Sequence, residues 1–138
     1  MNAVLAGWAA GYAMAIITTI ALVFLALRLT DDGGMLDRWV AREVPRPILA
    51  VPIFLGATLL WTMAGLVFGS LYEVGNFAAR PGALGSPGWP FLLIVAAVAW
   101  FPLPPLLIFA RRFWALWCGL TLAFIALFGW LLPLLAAR

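Results

Sequence analysis

Charged residues divide the chain into four long uncharged blocks, residues 1–27, 47–72, 81–110 and 113–137. Each block holds an apolar run of about 20 residues, the length that a helix needs to cross the hydrocarbon core of a membrane. Backbone polar groups in lipid must bond to one another, so segments this apolar are expected to be helical. The pattern predicts one all-α domain over 1–138, an integral membrane four-helix bundle with helices near 4–27, 48–71, 89–110 and 113–135.

The composition supports lipid as the solvent of these segments. Apolar residues make up 67% of the chain and charged residues 9%, and the mean hydropathy is +1.13. A soluble domain carries about 25% charged residues, so the charges present here are too few to cover a surface facing water. The first apolar run has no basic residue before it and exceeds about 15 residues, which predicts a retained anchor and not a cleaved signal peptide.

The arginines predict the orientation. All eight basic residues are Arg, and six of them lie in the connections that follow the first and third helices: Arg28, Arg38, Arg42, Arg46, Arg111 and Arg112. The opposite face has Arg80 and Arg138. Because basic loops stay in the cytoplasm, we expect a multi-pass protein of the bacterial cytoplasmic (inner) membrane with both termini outside.

The two longer connections differ in character. Apolar residues recur at helical spacing after the first helix, which predicts a short amphipathic helix near 34–44 that lies on the cytoplasmic membrane surface. Its expected membrane anchors are Met35, Leu36, Trp39 and Val40, and Thr30, Asp31 and Asp32 are expected to cap its start. The connection 72–88 is rich in Gly, Pro, Ser and Asn, which predicts an irregular outer loop.

Small residues recur at every fourth position of the first predicted helix, and two glycines repeat the spacing in the second. The residues are Ala3, Gly7, Gly11, Ala15, Gly65 and Gly69. Spacing of four keeps small side chains on one stripe, where another helix can approach closely. The stripe predicts either internal packing, which we favour, or a face for a partner subunit.

Prolines interrupt the third predicted helix. Pro102, Pro104 and Pro105 remove three amide donors, so a regular helix cannot run through them. The resulting kink, with the neighbouring Trp100, is a candidate for a transport pathway, because broken helices expose carbonyl groups to substrates. Glu73, at the outer end of the second helix, is a second candidate pathway residue, although a surface ion pair with Arg80 is the favoured interpretation.

The residue inventory restricts the chemistry. The chain has no His and one Cys, so it offers no Ser-His-Asp triad and no zinc, haem or iron–sulfur ligand set. We therefore expect no catalytic residue, no metal and no cofactor held by His or Cys, and we expect that the protein is not an enzyme. Contact with a lipid, quinone or pigment, for which Trp61 and Trp100 are candidates, is left open.

Three functions remain at this stage. The favoured one is a non-catalytic accessory, assembly or stabilising subunit of a larger membrane complex of respiratory, photosynthetic or transport type. Its partners would be other integral membrane subunits and membrane lipids, and not nucleic acid. The alternatives are a small oligomeric transporter or channel with a proline-broken third helix, and a membrane-surface lipid-modifying enzyme that uses Asp31, Asp32 and Asp37.

Overall fold

A computed structural model of the chain describes residues 2–31, 48, 50–75, 88–109 and 111–137, and all regular structure in these ranges is helical. The α-helices are α1 (Ala3–Asp31), α2 (Ala50–Val74), α3 (Trp89–Trp100), α4 (Leu103–Phe109), α5 (Trp114–Ala126) and α6 (Leu132–Ala136). A 3-10 helix (Arg111–Phe113) precedes α5, and a π-helical segment (Leu127–Leu131) joins α5 to α6.

Three helical stretches are long and apolar enough to cross a membrane: Ala3–Arg28, Ala50–Val74 and Arg111–Ala136, with 26, 25 and 26 residues. The third predicted helix has a different form, because Phe101 and Pro102 form a turn and the apolar helical stretch Trp89–Pro105 is shorter than the other three. The described residues thus contain three long apolar helices and a fourth, interrupted one.

Helix α1 ends later than predicted. It continues to Asp31, so Thr30 and Asp31 belong to α1, and the helix predicted near 34–44 lies outside the described residues. The boundary was placed at the first charge, but Arg28 is exposed and can extend its guanidinium toward water while its backbone stays helical. No proline or glycine stops the helix before Gly33.

Helices α1 and α2 pack against each other in antiparallel directions with their backbones in contact. A Cβ atom built on Gly7 would run into the carbonyl oxygen of Gly65, and one built on Gly11 would run into that of Trp61. A Cβ atom on Gly69 would lie 2.9 Å from the Cα of Val4. Only glycine permits this approach, which lets dispersion contacts form along the helix axes.

Aromatic side chains join the second long helix to the last one. The ring of Trp61 lies 5.6 Å from that of Phe124, and the ring of Phe68 lies 5.1 Å from that of Phe128. Gly11, Trp61 and Phe124 therefore meet at one depth of the bundle, which we call the contact level. Tilted and edge-on aromatic pairs of this kind contribute about 0.5–1.5 kcal/mol each beyond the area that they bury.

The core lies toward one end of the bundle. The largest fully buried side chains are Phe91, Phe128, Met14, Leu132 and Val95. We call this end, where Glu73 also lies, the Glu73 end, and the opposite end, which carries Arg28, Arg111 and Arg112, the arginine end. From residue 16 to the end of α1, and before residue 57 in α2, no side chain that the structure describes is fully buried.

The π-helical segment allows α3 to pack closely on the last helix. Gly129 lies within it, and a Cβ atom there would stand 2.6 Å from Cδ1 of Leu92. Residues four apart share one face of a helix. Phe128 and Leu132 are accordingly both fully buried.

Candidate functional site

The small residues singled out in the sequence are brought together by the structure between α1 and α2. Gly7 and Gly11 lie opposite Gly65 and the Trp61 carbonyl, while Gly69 lies opposite Ala3. Ala15 is also fully buried. Within the single chain, this small-residue surface is therefore occupied and is not open to a partner.

Two other glycines remain open. A Cβ atom built on Gly56 of α2 or on Gly119 of α5 would meet nothing within 4 Å. Ala115, Leu122 and Ala126 are exposed on the same side of α5 as Gly119, so this face combines small residues with one large apolar side chain. We call the two exposed surfaces the open-glycine faces. The sequence holds a weak signal for them, because Gly56-Ala57-Thr58-Leu59 is echoed by Gly119-Leu120-Thr121-Leu122.

The proline-rich stretch forms an exposed turn. Trp100 closes α3 with 64% of its surface exposed, and Phe101 is 86% exposed. The amide of Phe101 still donates to the carbonyl of Ala97, at 3.2 Å. Pro104 and Pro105 lie in the first turn of α4, where a missing amide donor leaves no bond unmade. One interruption thus accommodates all three prolines.

Glu73 and the proline turn are not brought together. Glu73 is exposed and follows Tyr72, whose ring lies 4.9 Å from that of Phe91 at the start of α3. Pro102 lies about 16 Å along the helix axis from Phe91, toward the arginine end. A single pathway site composed of both candidates is therefore not present in the described residues.

Hydroxyl groups within the helices behave in two ways. Three threonines donate to the carbonyl oxygen four residues earlier, at 2.6–2.9 Å: Thr19, Thr62 and Thr121. By contrast, the hydroxyls of Thr18 and Thr58 and the indole Nε1 of Trp117 are buried without a hydrogen-bond partner among the described residues. We call these three groups the polar trio. An unpaired buried polar group costs about 1–3 kcal/mol.

The polar trio lies on the arginine side of the contact level. Thr18 follows Gly11, and Trp117 precedes Phe124, by about two helical turns, so each shares the helix face of a residue that contacts α2. Thr58 precedes the contact level on α2 by about one turn. The trio was not predicted from the sequence, because a threonine in an apolar helix usually bonds to a carbonyl of the preceding turn.

Some candidate residues lie outside the described residues. They include the predicted surface anchors Met35, Leu36, Trp39 and Val40, together with Asp32 and Asp37. Within the ranges that the structure describes, no group of three or more His, Cys, Asp or Glu side chains is placed to hold a metal ion.

Large apolar side chains are exposed on every long helix. Ile20, Leu59, Val67 and Leu122 each have about two-thirds of their surface exposed, at 66% or 67%. Trp61, which the sequence offers as a candidate for lipid, quinone or pigment contact, is partly buried and packs on Phe124. The outer surface of the described helices is thus apolar, and its polar ends carry Glu73 or the arginines.

Comparison with known proteins finds no match, since no protein-family model, curated protein or solved structure shows significant similarity to this chain.

Proposed function

We propose that the chain is a multi-pass membrane protein that serves as a non-catalytic accessory or assembly subunit of a larger membrane complex. Its four helical segments would form a bundle in a bacterial cytoplasmic membrane, with both termini outside. The exposed apolar side chains of α1, α2 and α5 support insertion in lipid, because water would not solvate such a surface at acceptable cost.

The observation that carries the subunit function is the pair of open-glycine faces. Four glycines are used to bring α1 and α2 together, whereas a Cβ atom at Gly56 or Gly119 would meet no atom of the described residues within 4 Å. A glycine on a membrane-exposed helix leaves a notch at which the helix of another protein can approach closely. Such notches are suited to helices of partner subunits, and two of them allow contact with more than one neighbour.

A native purification tests this proposal. In mild detergent, the wild-type chain should co-purify with a larger assembly at fixed stoichiometry. Gly56→Leu and Gly119→Leu should release it from that assembly while its own thermal unfolding stays unchanged, since both positions have open space. Exposed Ile20→Ala is the control, because it alters the lipid-facing surface on α1, whose glycines Gly7 and Gly11 are both packed on α2. Recovery of the wild type only as a free monomer or homodimer would reject the proposal.

A small oligomeric transporter or channel is the second candidate. It is favoured by the turn at Phe101–Pro102 together with the polar trio, because both lie on the arginine side of the core. Transporter substrates bind where broken helices and unpaired polar groups line a path through the membrane. This function predicts solute or ion flux in proteoliposomes.

Proline substitutions test that flux. Replacing Pro102, Pro104 and Pro105 together by Ala should restore a continuous helix and abolish the flux. Pro90→Ala is the matched control, because Pro90 lies in the first turn of α3 and is tolerated there. Absence of flux across a broad panel of ions and solutes, or flux that survives the triple substitution, would count against this candidate.

A further inference from the structure

The polar trio lies within one layer of the bundle. From the contact level toward the arginine end, Thr58 lies about 5 Å along α2, while Thr18 and Trp117 lie about 10 Å along α1 and α5. Trp117 is on the face of α5 that packs on α2 through Phe124. Each long helix thus contributes one buried, unpaired polar group, and the three groups are within about 6 Å of depth.

The two threonines face each other across the contact between α1 and α2. Thr18 follows Gly11 by seven residues and Thr58 precedes Gly65 by seven, so each shares the face of a glycine whose backbone touches the other helix. Side chains lean toward the N-terminus of their own helix. Because α1 and α2 are antiparallel, Thr18 leans toward the contact level and Thr58 leans away from it, which brings the two hydroxyls closer in depth.

The layer of the polar trio is packed differently from the core. Among the described residues, no side chain is fully buried in α1 beyond Ala15, in α2 before Ala57 or in α5 before Phe124. The three polar atoms are nevertheless shielded from solvent. Partly exposed side chains change rotamer readily, so those of this layer can rotate aside and admit a molecule from the surrounding lipid without disturbing the core.

The chemistry of the trio restricts what it can bind. The indole N–H of Trp117 can only donate a hydrogen bond, and both threonine hydroxyls can donate as well. A carbonyl oxygen has two lone pairs, so three donors are satisfied by two carbonyl oxygens. All three helices are uncharged through this layer, and an ionised ligand would therefore be left unpaired in hydrocarbon. The complementary ligand is neutral and carries two carbonyl groups.

We propose that the polar trio binds the carbonyl oxygens of a neutral lipid-soluble molecule, either a quinone or the ester groups of a diacylglycerol. The Trp117 indole donates to one carbonyl oxygen, and the hydroxyls of Thr18 and Thr58 donate to the other. Unpaired polar groups destabilise the ligand-free protein, and a bound ligand removes that penalty. The site rests on the membrane insertion in the proposed function, but it requires neither a partner subunit nor transport.

Ligand binding to the purified full-length chain tests the site. Radiolabelled decylubiquinone and radiolabelled dioctanoylglycerol are each titrated against the delipidated protein in dodecyl maltoside. We expect saturable binding of at least one of them, and the tighter one identifies the source of the carbonyl groups. Decylbenzene, which has an alkyl tail and a ring but no carbonyl group, should compete at least tenfold less well, because it leaves the donors unpaired.

Single substitutions assign that binding to the trio. Thr58→Val and Trp117→Phe each remove one donor with little change in shape, and each should weaken binding about tenfold. Thr62→Val and Trp130→Phe are the matched controls, because the Thr62 hydroxyl already donates to its own helix and Trp130 is 60% exposed outside this layer. Both controls should bind as the wild type does.

Stability separates a binding role from a merely structural one. Without ligand, Thr58→Val should raise the ratio of folded to unfolded protein about fivefold. At a ligand concentration 100 times the wild-type Kd, the wild type should gain about a hundredfold in that ratio and the variant only about tenfold. A structural hydroxyl would instead give lower stability in the variant and an equal gain from the ligand.

Three results would overturn the proposal. They are a failure of both carbonyl compounds to bind, as expected if water alone pairs the trio, equal competition by decylbenzene, and unchanged affinity in Thr58→Val and Trp117→Phe. Because these measurements use the isolated chain, they are distinguishable from failure of the subunit function. A chain that joins no assembly can still bind the ligand, and a chain that binds no ligand can still co-purify with an assembly.

Discussion

Replacing Gly7 by alanine probes the contact on which the fold depends most. The added methyl group would run into the carbonyl oxygen of Gly65 and would lie 2.9 Å from both the Cα and the amide nitrogen of Gly69. All three atoms belong to the backbone, so none can rotate away. Relief requires that α1 and α2 move apart, which weakens the dispersion contacts along their shared surface.

The expected cost follows from two opposing terms. Overpacking of a close contact costs about 1–3 kcal/mol, and backbone obstacles place Gly7→Ala near the upper limit. Alanine favours a helix over glycine by up to about 1 kcal/mol, which offsets part of this cost. We therefore expect Gly7→Ala to lower the free energy of unfolding by about 2 kcal/mol.

Gly56→Ala is the matched control for this experiment. Both glycines lie within long apolar helices, but the methyl group at Gly56 meets nothing within 4 Å. Only the gain in helix preference remains there, so the control should be neutral or more stable by up to about 1 kcal/mol. The two variants should differ by about 3 kcal/mol, roughly a hundredfold in the ratio of folded to unfolded protein.

Unfolding by sodium dodecyl sulfate in mixed micelles, followed by tryptophan fluorescence, measures this difference. The contact between α1 and α2 predicts that Gly7→Ala lowers the free energy of unfolding while Gly56→Ala leaves it unchanged or raises it. If Gly7→Ala and Gly56→Ala behaved alike, the backbone contact would not exist in the folded protein.

Two further predictions concern the polar trio and the orientation. Thr58→Val removes a buried hydroxyl that has no partner among the described residues, so it should stabilise the protein by about 1 kcal/mol in the same unfolding assay. Thr62→Val is the control, because it removes a hydroxyl that donates at 2.6 Å and should be neutral or destabilising. A loss of stability in Thr58→Val alone would mean that the Thr58 hydroxyl forms a hydrogen bond in the membrane. In a Cys118→Ala background, Ile48→Cys should react with an impermeant maleimide added from the cytoplasmic side, and Gly75→Cys should react from the outer side. Reaction of both cysteines from the same side would refute the orientation inferred from the arginines.

The helical class and the interruption of the third segment were predictable from the sequence because each has a strong local cause. Charge-free runs of membrane-spanning length allow only helices. Pro102 has no backbone N–H, so it cannot donate the hydrogen bond that would continue α3. The resumption of the helix at Leu103 was less predictable, since it depends on Pro104 and Pro105 falling in a first turn.

The roles of individual glycines could not be predicted. In a soluble helix, the apolar stripe shows which face is buried, but a helix that is apolar all round gives no such direction. Gly7 and Gly56 have similar apolar neighbours in sequence, yet Gly7 lies against the backbone of α2 and Gly56 has open space among the described residues. The difference depends on which helices are adjacent, and that information is long-range.

The same reasoning explains why the polar trio was missed. A threonine in an apolar helix usually bonds to the preceding turn, and Thr19 and Thr62 do so. Whether Thr18 and Thr58 follow that rule depends on side-chain rotation inside a packed interior. Sequence spacing carries no information about this rotation.

The pairing of α1 with α2 has a consequence for biosynthesis. These two helices leave a ribosome before α3 to α6, and their shared surface is made of glycine backbone that needs no contribution from later residues. The pair can therefore associate as a hairpin while α3 to α6 are still being translated, since segments nearer the N-terminus generally fold first during synthesis. The incomplete chain would then offer a preformed two-helix template onto which the aromatic residues of α5 dock last.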